Sequence, residues 1–78
     1  VNSNKTLLKE AFKSPMAGKL VKTNVSEGEM VDIGQVLFVI EAMNFETDIV
    51  ADRKGTVSKI CAKDGQNVEA GDVLAFIE

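Results

Sequence analysis

Residues 18–41, GKLVKTNVSEGEMVDIGQVLFVIE, return at 55–78 as GTVSKICAKDGQNVEAGDVLAFIE. A shift of 37 places Gly18 on Gly55, Lys22 on Lys59, Gly28 on Gly65, Val31 on Val68 and Gly34 on Gly71. It also carries Val36, Leu37, Ile40 and Glu41 onto Val73, Leu74, Ile77 and Glu78. Nine of 24 aligned positions are identical, and pairs such as Glu27/Asp64, Asp32/Glu69 and Leu20/Val57 keep their chemistry. Two copies are too few for a solenoid, which needs about three units before its core is continuous. A pseudo-twofold domain is the alternative, with each half covering the other's apolar face.

Seventy-eight residues allow one domain, near the size at which a core alone becomes marginal. The chain is 45% hydrophobic, with four Phe and neither Trp nor Tyr, so the core rests on Val, Ile and Leu. Nine basic and twelve acidic residues give a net charge of −3. Without a basic stripe or an aromatic platform, nucleic acid is not an expected partner. Apolar runs such as 36–40 are far too short to cross a bilayer, so no membrane association is expected. The chain opens without a signal-peptide pattern.

The chain contains no His, which removes Ser-His and Cys-His nucleophilic chemistry and the commonest zinc ligand. Cys61 is the only cysteine, so no disulfide within the chain and no Cys-based metal site is expected. It is expected to be a small buried residue within a strand. Acidic composition and a single thiol fit a reducing cytoplasm.

Residues 1–12 are assigned as a linker or tail and 13–78 as the domain. Residues 5–12 are also compatible with one helical turn whose Leu7, Leu8 and Phe12 would touch the domain. Ser14-Pro15 resets the chain, because the residue before Pro avoids the helical region. Beyond it, short strands alternate with turns. Residues 36–40 and 73–77 are continuous apolar runs expected for strands covered on both sides. In 45–51, Phe45, Thr47, Ile49 and Ala51 alternate with Glu46 and Asp48, as in a half-buried strand. Glu27-Gly28 and Asp64-Gly65 are turn signals, and Gly34 and Gly71 fit positions needing φ > 0. The fold class is all-β, a small sandwich or flattened barrel.

Between the copies lies Glu41-Ala42-Met43-Asn44-Phe45-Glu46. Ala42-Met43-Asn44 joins the strands 36–41 and 45–51 as a β-hairpin. Asn suits such an apex because it tolerates the left-handed region. An exposed Met43 beside Phe45, flanked by Glu41, Glu46 and Asp48, has the character of a recognition element. The carboxylates themselves are expected to solvate an outward strand face, and no metal site is expected there.

This motif resembles the Glu-Ala-Met-Lys-Met hairpin of the biotinyl domain of biotin-dependent carboxylases, the biotin carboxyl carrier domain. The resemblance covers residues 13–78. It includes Pro15-Met16-Ala17-Gly18, Glu27-Gly28, Gly34-Gln35, Asp64-Gly65 and Ala70-Gly71-Asp72. It implies two four-stranded antiparallel sheets related by a pseudo-twofold axis, and a monomeric, non-catalytic carrier. The lipoyl branch of the same fold typically has Asp before its modified Lys, so Met43 favours biotin. In the family, a biotin ligase attaches biotin to the motif Lys. The arm then travels between a biotin carboxylase site and a carboxyltransferase site. Its advantage is effective concentration, since a tethered group meets both sites without diffusing away.

Position 44, where the family carries that Lys, is Asn. Its amide nitrogen is conjugated to its own carbonyl and lacks the four-carbon stem, so biotin is not attachable there. Glu41, Ala42, Met43, Phe45 and Glu46 remain as candidate ligase and partner contacts. Phe45 replaces the family's second Met with another large apolar residue. Two accounts fit: a carrier whose attachment Lys has been replaced, or a relative that keeps the scaffold as a binding or assembly module. Modules of the second kind include membrane-fusion adaptors, whose tips are opened by a long insertion absent from this chain. Enzymatic activity in its own right is not expected, for want of His, paired carboxylates or a phosphate loop.

Overall fold

The computed structural model describes residues 9–78, and these contain eight strands and no helix. In chain order they are β1 (Glu10–Lys13), β2 (Gly18–Thr23), β3 (Met30–Val31), β4 (Val36–Ala42), β5 (Phe45–Val50), β6 (Gly55–Ile60), β7 (Asn67–Val68) and β8 (Val73–Ile77). Two four-stranded antiparallel sheets form, ordered β1-β8-β6-β3 and β5-β4-β2-β7. Leu20, Leu37, Ile40, Val57, Leu74 and Ile77 are fully buried between them, and they are three pairs of repeat mates.

The twofold relation holds to individual hydrogen bonds. The Gly28 N–H donates to the Val57 carbonyl at 2.7 Å, and its mate Gly65 donates to Leu20 at 2.6 Å. Gly34 donates to Ala51 and Gly71 to Ser14, both at 2.8 Å. All four glycines have φ between 87° and 93°, the region that side chains avoid. The Ser14/Ala51 equivalence extends the repeat beyond the identities visible in sequence. β1 is the mate of β5, β2 of β6, β3 of β7 and β4 of β8.

The halves also interleave. Each sheet takes its two middle strands from different places in the repeat of one half, β8 and β6 or β4 and β2. The other half supplies both flanking strands. Mutual coverage of two finished halves, as expected from sequence, is therefore replaced by strand exchange within each sheet.

Three sequence expectations need correction. The folded unit reaches back to Glu10, because β1 is hydrogen-bonded along β8, with Glu10 opposite Ile77 and Phe12 opposite Ala75. The boundary at residue 13 was thus too late, and residues 10–12 are strand; residues 5–8 of the expected helical turn, including Leu7 and Leu8, lie outside the described residues. Cys61 is exposed and lies just after β6, where its N–H donates to Leu74 and the ladder has ended. Lastly, the β4–β5 turn contains two residues instead of three, since Ala42 pairs with Phe45.

The long apolar strands are covered on both sides only in part: Leu37, Phe38, Val39 and Ile40 of β4 are buried, whereas in β8 Leu74, Ala75 and Ile77 are buried and Val73 and Phe76 are half-buried. A register shift between Val36 and Phe38 allows neighbouring side chains of β4 to be covered together. In β5 the alternation is real, but burial begins only at Ile49. Phe45 and Thr47 lie on the exposed portion of the hairpin towards its tip.

Candidate functional site

The tip of the β4–β5 hairpin is built by two consecutive left-handed residues, Met43 at φ 54° and Asn44 at φ 69°. Positive φ at both central residues defines a type I′ turn, whose twist matches that of paired strands. The ladder can therefore run out to Ala42 and Phe45. Asn44 suits this geometry, whereas Met43 does not: an unbranched apolar residue in the left-handed region costs about 1–2 kcal/mol. Met43 is also 90% exposed, so no packing returns that cost. Phe45 beside it is 75% exposed. Backbone strain combined with an exposed apolar side chain marks a surface shaped for something other than stability.

The outward side of the same hairpin is polar. Asn67, Lys19, Glu41 and Glu46 are successive ladder partners across β7, β2, β4 and β5, and all four are exposed. Glu41 and Glu46 face each other directly, a like-charge arrangement that disfavours a strand pair by roughly 0.2–1 kcal/mol. Lys19, on the other side of Glu41, moderates it. Asp48 follows on the same face of β5 and is likewise exposed.

Every residue singled out in the motif, Glu41 through Glu46, thus gathers at one pole of the domain. Lys19 and Asn67 were not singled out. Only the strand register places them beside the motif, and no spacing in the sequence signals it. Gly18 holds β2 close to β4: a Cβ there would lie 2.6 Å from the Glu41 carbonyl oxygen. The opposite pole carries the twofold equivalents, with Gly55 against Glu78, and there Lys9 lies 3.8 Å from the Glu78 carboxylate.

Replacing Met43-Asn44 by Asn-Gly, the pair best suited to this turn, is expected to stabilise the fold by about 1 kcal/mol. For a domain of this size that raises the melting temperature by about 4–8 °C. Thermal unfolding followed by circular dichroism measures it, and an unchanged or lower midpoint would contradict the assigned strain.

Two four-stranded antiparallel sheets in pseudo-twofold repeat, with one short exposed hairpin joining the halves, are the architecture expected of a biotinyl/lipoyl-type domain. Comparison with known proteins is specific. The family described as "Biotin-requiring enzyme" matches residues 10–77. The chain is 45% identical over 64 residues to the biotin carboxyl carrier protein of Streptococcus mutans, covering 82% of this chain and 49% of that one. It is 44% identical over 59 residues to the biotin/lipoyl attachment protein of Bacillus subtilis, covering 76% and 81%. Among solved structures, the Kluyveromyces lactis urea carboxylase superposes with a TM-score of 0.82 at 37% identity, over 90% of this chain and 6% of that one. The chain belongs to the biotin-requiring enzyme family. It spans about half of the streptococcal carrier and a small fraction of the large carboxylase.

Proposed function

We propose that this is a biotin carboxyl carrier domain in an unloaded form. Its working partners would be a biotin protein ligase and the biotin carboxylase and carboxyltransferase components of a biotin-dependent carboxylase in the cytoplasm. The observation that carries this reading is the tip: a two-residue turn at the pole, with position 44 at its apex between two exposed apolar side chains. The domain itself would be a monomeric carrier, and the residues ahead of β1 would connect it to other components.

Covalent biotin does not fit the chain as it stands. The Asn44 carboxamide offers no free lone pair for amide formation, so no carboxyl-transfer step is derived through it. What the chain supplies is the frame around that position: the left-handed turn, the apolar pair Met43 and Phe45, and the acidic Glu41 and Glu46. Among the described residues no helix is long and apolar enough to cross a membrane.

Incubation with biotin ligase, ATP and biotin, followed by intact mass, tests the reading. The Asn44→Lys domain is expected to gain one biotin and the unaltered chain none. If the folded Asn44→Lys domain gains none, the carrier reading fails and the scaffold is an unmodified binding or assembly module.

A further inference from the structure

We propose that the chain with Asn44 is a dead-end pseudosubstrate of the biotin ligase, one that engages the carrier-binding face and withholds the nucleophile. The inference rests on the carrier reading above and adds an inhibitory activity to it. It follows from a mismatch at the tip, where the means of being recognised are intact and the means of reacting are absent.

In the carrier reading recognition falls to Met43 and Phe45 and to the outward Glu41 and Glu46, all four of which are exposed. No hydrogen bond or ion pair to another side chain occupies either carboxylate among the described residues. Asn44 holds the apex in the left-handed geometry, with Ala42 and Phe45 still paired behind it. The surface presented to a partner therefore keeps its shape without the Lys.

The chemistry stops at one bond. In carrier loading, the amine lone pair attacks the acyl carbon of a biotinyl adenylate, the acyl–phosphate bond breaks, AMP leaves and the amine loses a proton. The Asn44 nitrogen is delocalised into its own carbonyl and sits on a stem two carbons shorter. No acyl–nitrogen bond forms, and the adenylate remains in the ligase. The complex then ends only by dissociation of the chain. A Lys side chain would gain contacts in the ligase but would also lose the hydration of its ammonium, so the two forms should bind comparably.

The test measures loading of a fixed amount of the Asn44→Lys domain while the unaltered chain is added. Competitive inhibition is expected, with half-inhibition within about tenfold of the KM of the Asn44→Lys domain. Excess substrate domain should restore the rate. A chain carrying Met43→Glu and Phe45→Glu should fold, because both side chains are exposed, and should inhibit at least tenfold less. Absence of inhibition at ten times KM, or equal inhibition by the doubly substituted chain, overturns the proposal while leaving the carrier reading intact. If the Asn44→Lys domain is itself not loaded, the carrier reading fails. The competition is then run against the Streptococcus mutans carrier protein, where absence of inhibition overturns the pseudosubstrate as well.

Discussion

Phe38→Ala is expected to cost about 3–5 kcal/mol, most of the stability a domain of this size possesses. Phe38 is fully buried in β4, and its ring stacks on Phe12 of β1 with centroids 6.1 Å apart and planes at 19°. Because β1 and β4 belong to different sheets, this pair ties the two layers together. It is also where the core departs from twofold symmetry. The mate of Phe38 is Ala75, fully buried opposite Phe12, and the mate of Phe12 is Ile49, opposite Phe38. Truncation at 38 leaves a ring-sized void that small Ala75 cannot fill, and rigid ladders on both sides prevent collapse. Urea unfolding should show the midpoint displaced far towards water, whereas a loss below 2 kcal/mol would mean that the two sheets can close over the cavity.

Gly18→Ala and Gly55→Ala should each cost about 1–3 kcal/mol, and their functional effects should differ. At both sites the added Cβ would lie 2.6 Å from a backbone carbonyl oxygen, that of Glu41 or Glu78. It would also come within 2.6 Å of the Ile40 Cγ2 or 2.7 Å of the Ile77 Cγ2. Neither obstacle is the end of a flexible side chain, so the ladder must open. Reduced unfolded-state entropy offsets about 0.4–1 kcal/mol of the cost. The two sites lie at opposite poles, so the double substitution should be additive within about 0.5 kcal/mol. Only Gly18 braces the hairpin that carries the tip. In the Asn44→Lys background, ligase loading should slow with Gly18→Ala and remain unchanged with Gly55→Ala. Equal slowing by both would show a global loss of order instead of local displacement of the tip.

Much of this architecture is legible in the sequence, because turn glycines and alternate apolar positions respond to local rules. Gly28, Gly34, Gly65 and Gly71 needed no partner to be recognised. The apex was legible too, since Met43 and Asn44 fall between two strand-like runs. What escaped depended on partners remote in sequence. β1 shares no identities with β5, and only the common burial of Phe12 and Ile49 relates them. The Ala42–Phe45 pair closes because the turn adopts two left-handed residues, a choice made by strand twist. Cys61 is more instructive, because its mate in the repeat is the exposed polar Asn24. That alignment contained the signal that position 61 faces solvent, and the expectation of a buried strand residue overlooked it. Lys19 and Asn67 reach the site through register, which a sequence without its fold does not disclose.

The exchange of flanking strands has a consequence for the ancestry of such a domain. A chain containing a single copy, equivalent to β1–β4, would have a β2–β4 pair with neither flank filled, and its own β1 and β3 would have no strand to join. As a monomer it would expose two sheet edges, the usual route to aggregation. Two such chains could satisfy one another through an isologous contact, each donating outer strands to the other. The present molecule then corresponds to a swapped homodimer made permanent by one covalent link. That link is the turn Met43-Asn44, so among the described strands and turns the covalent joint of the two halves coincides with the candidate site.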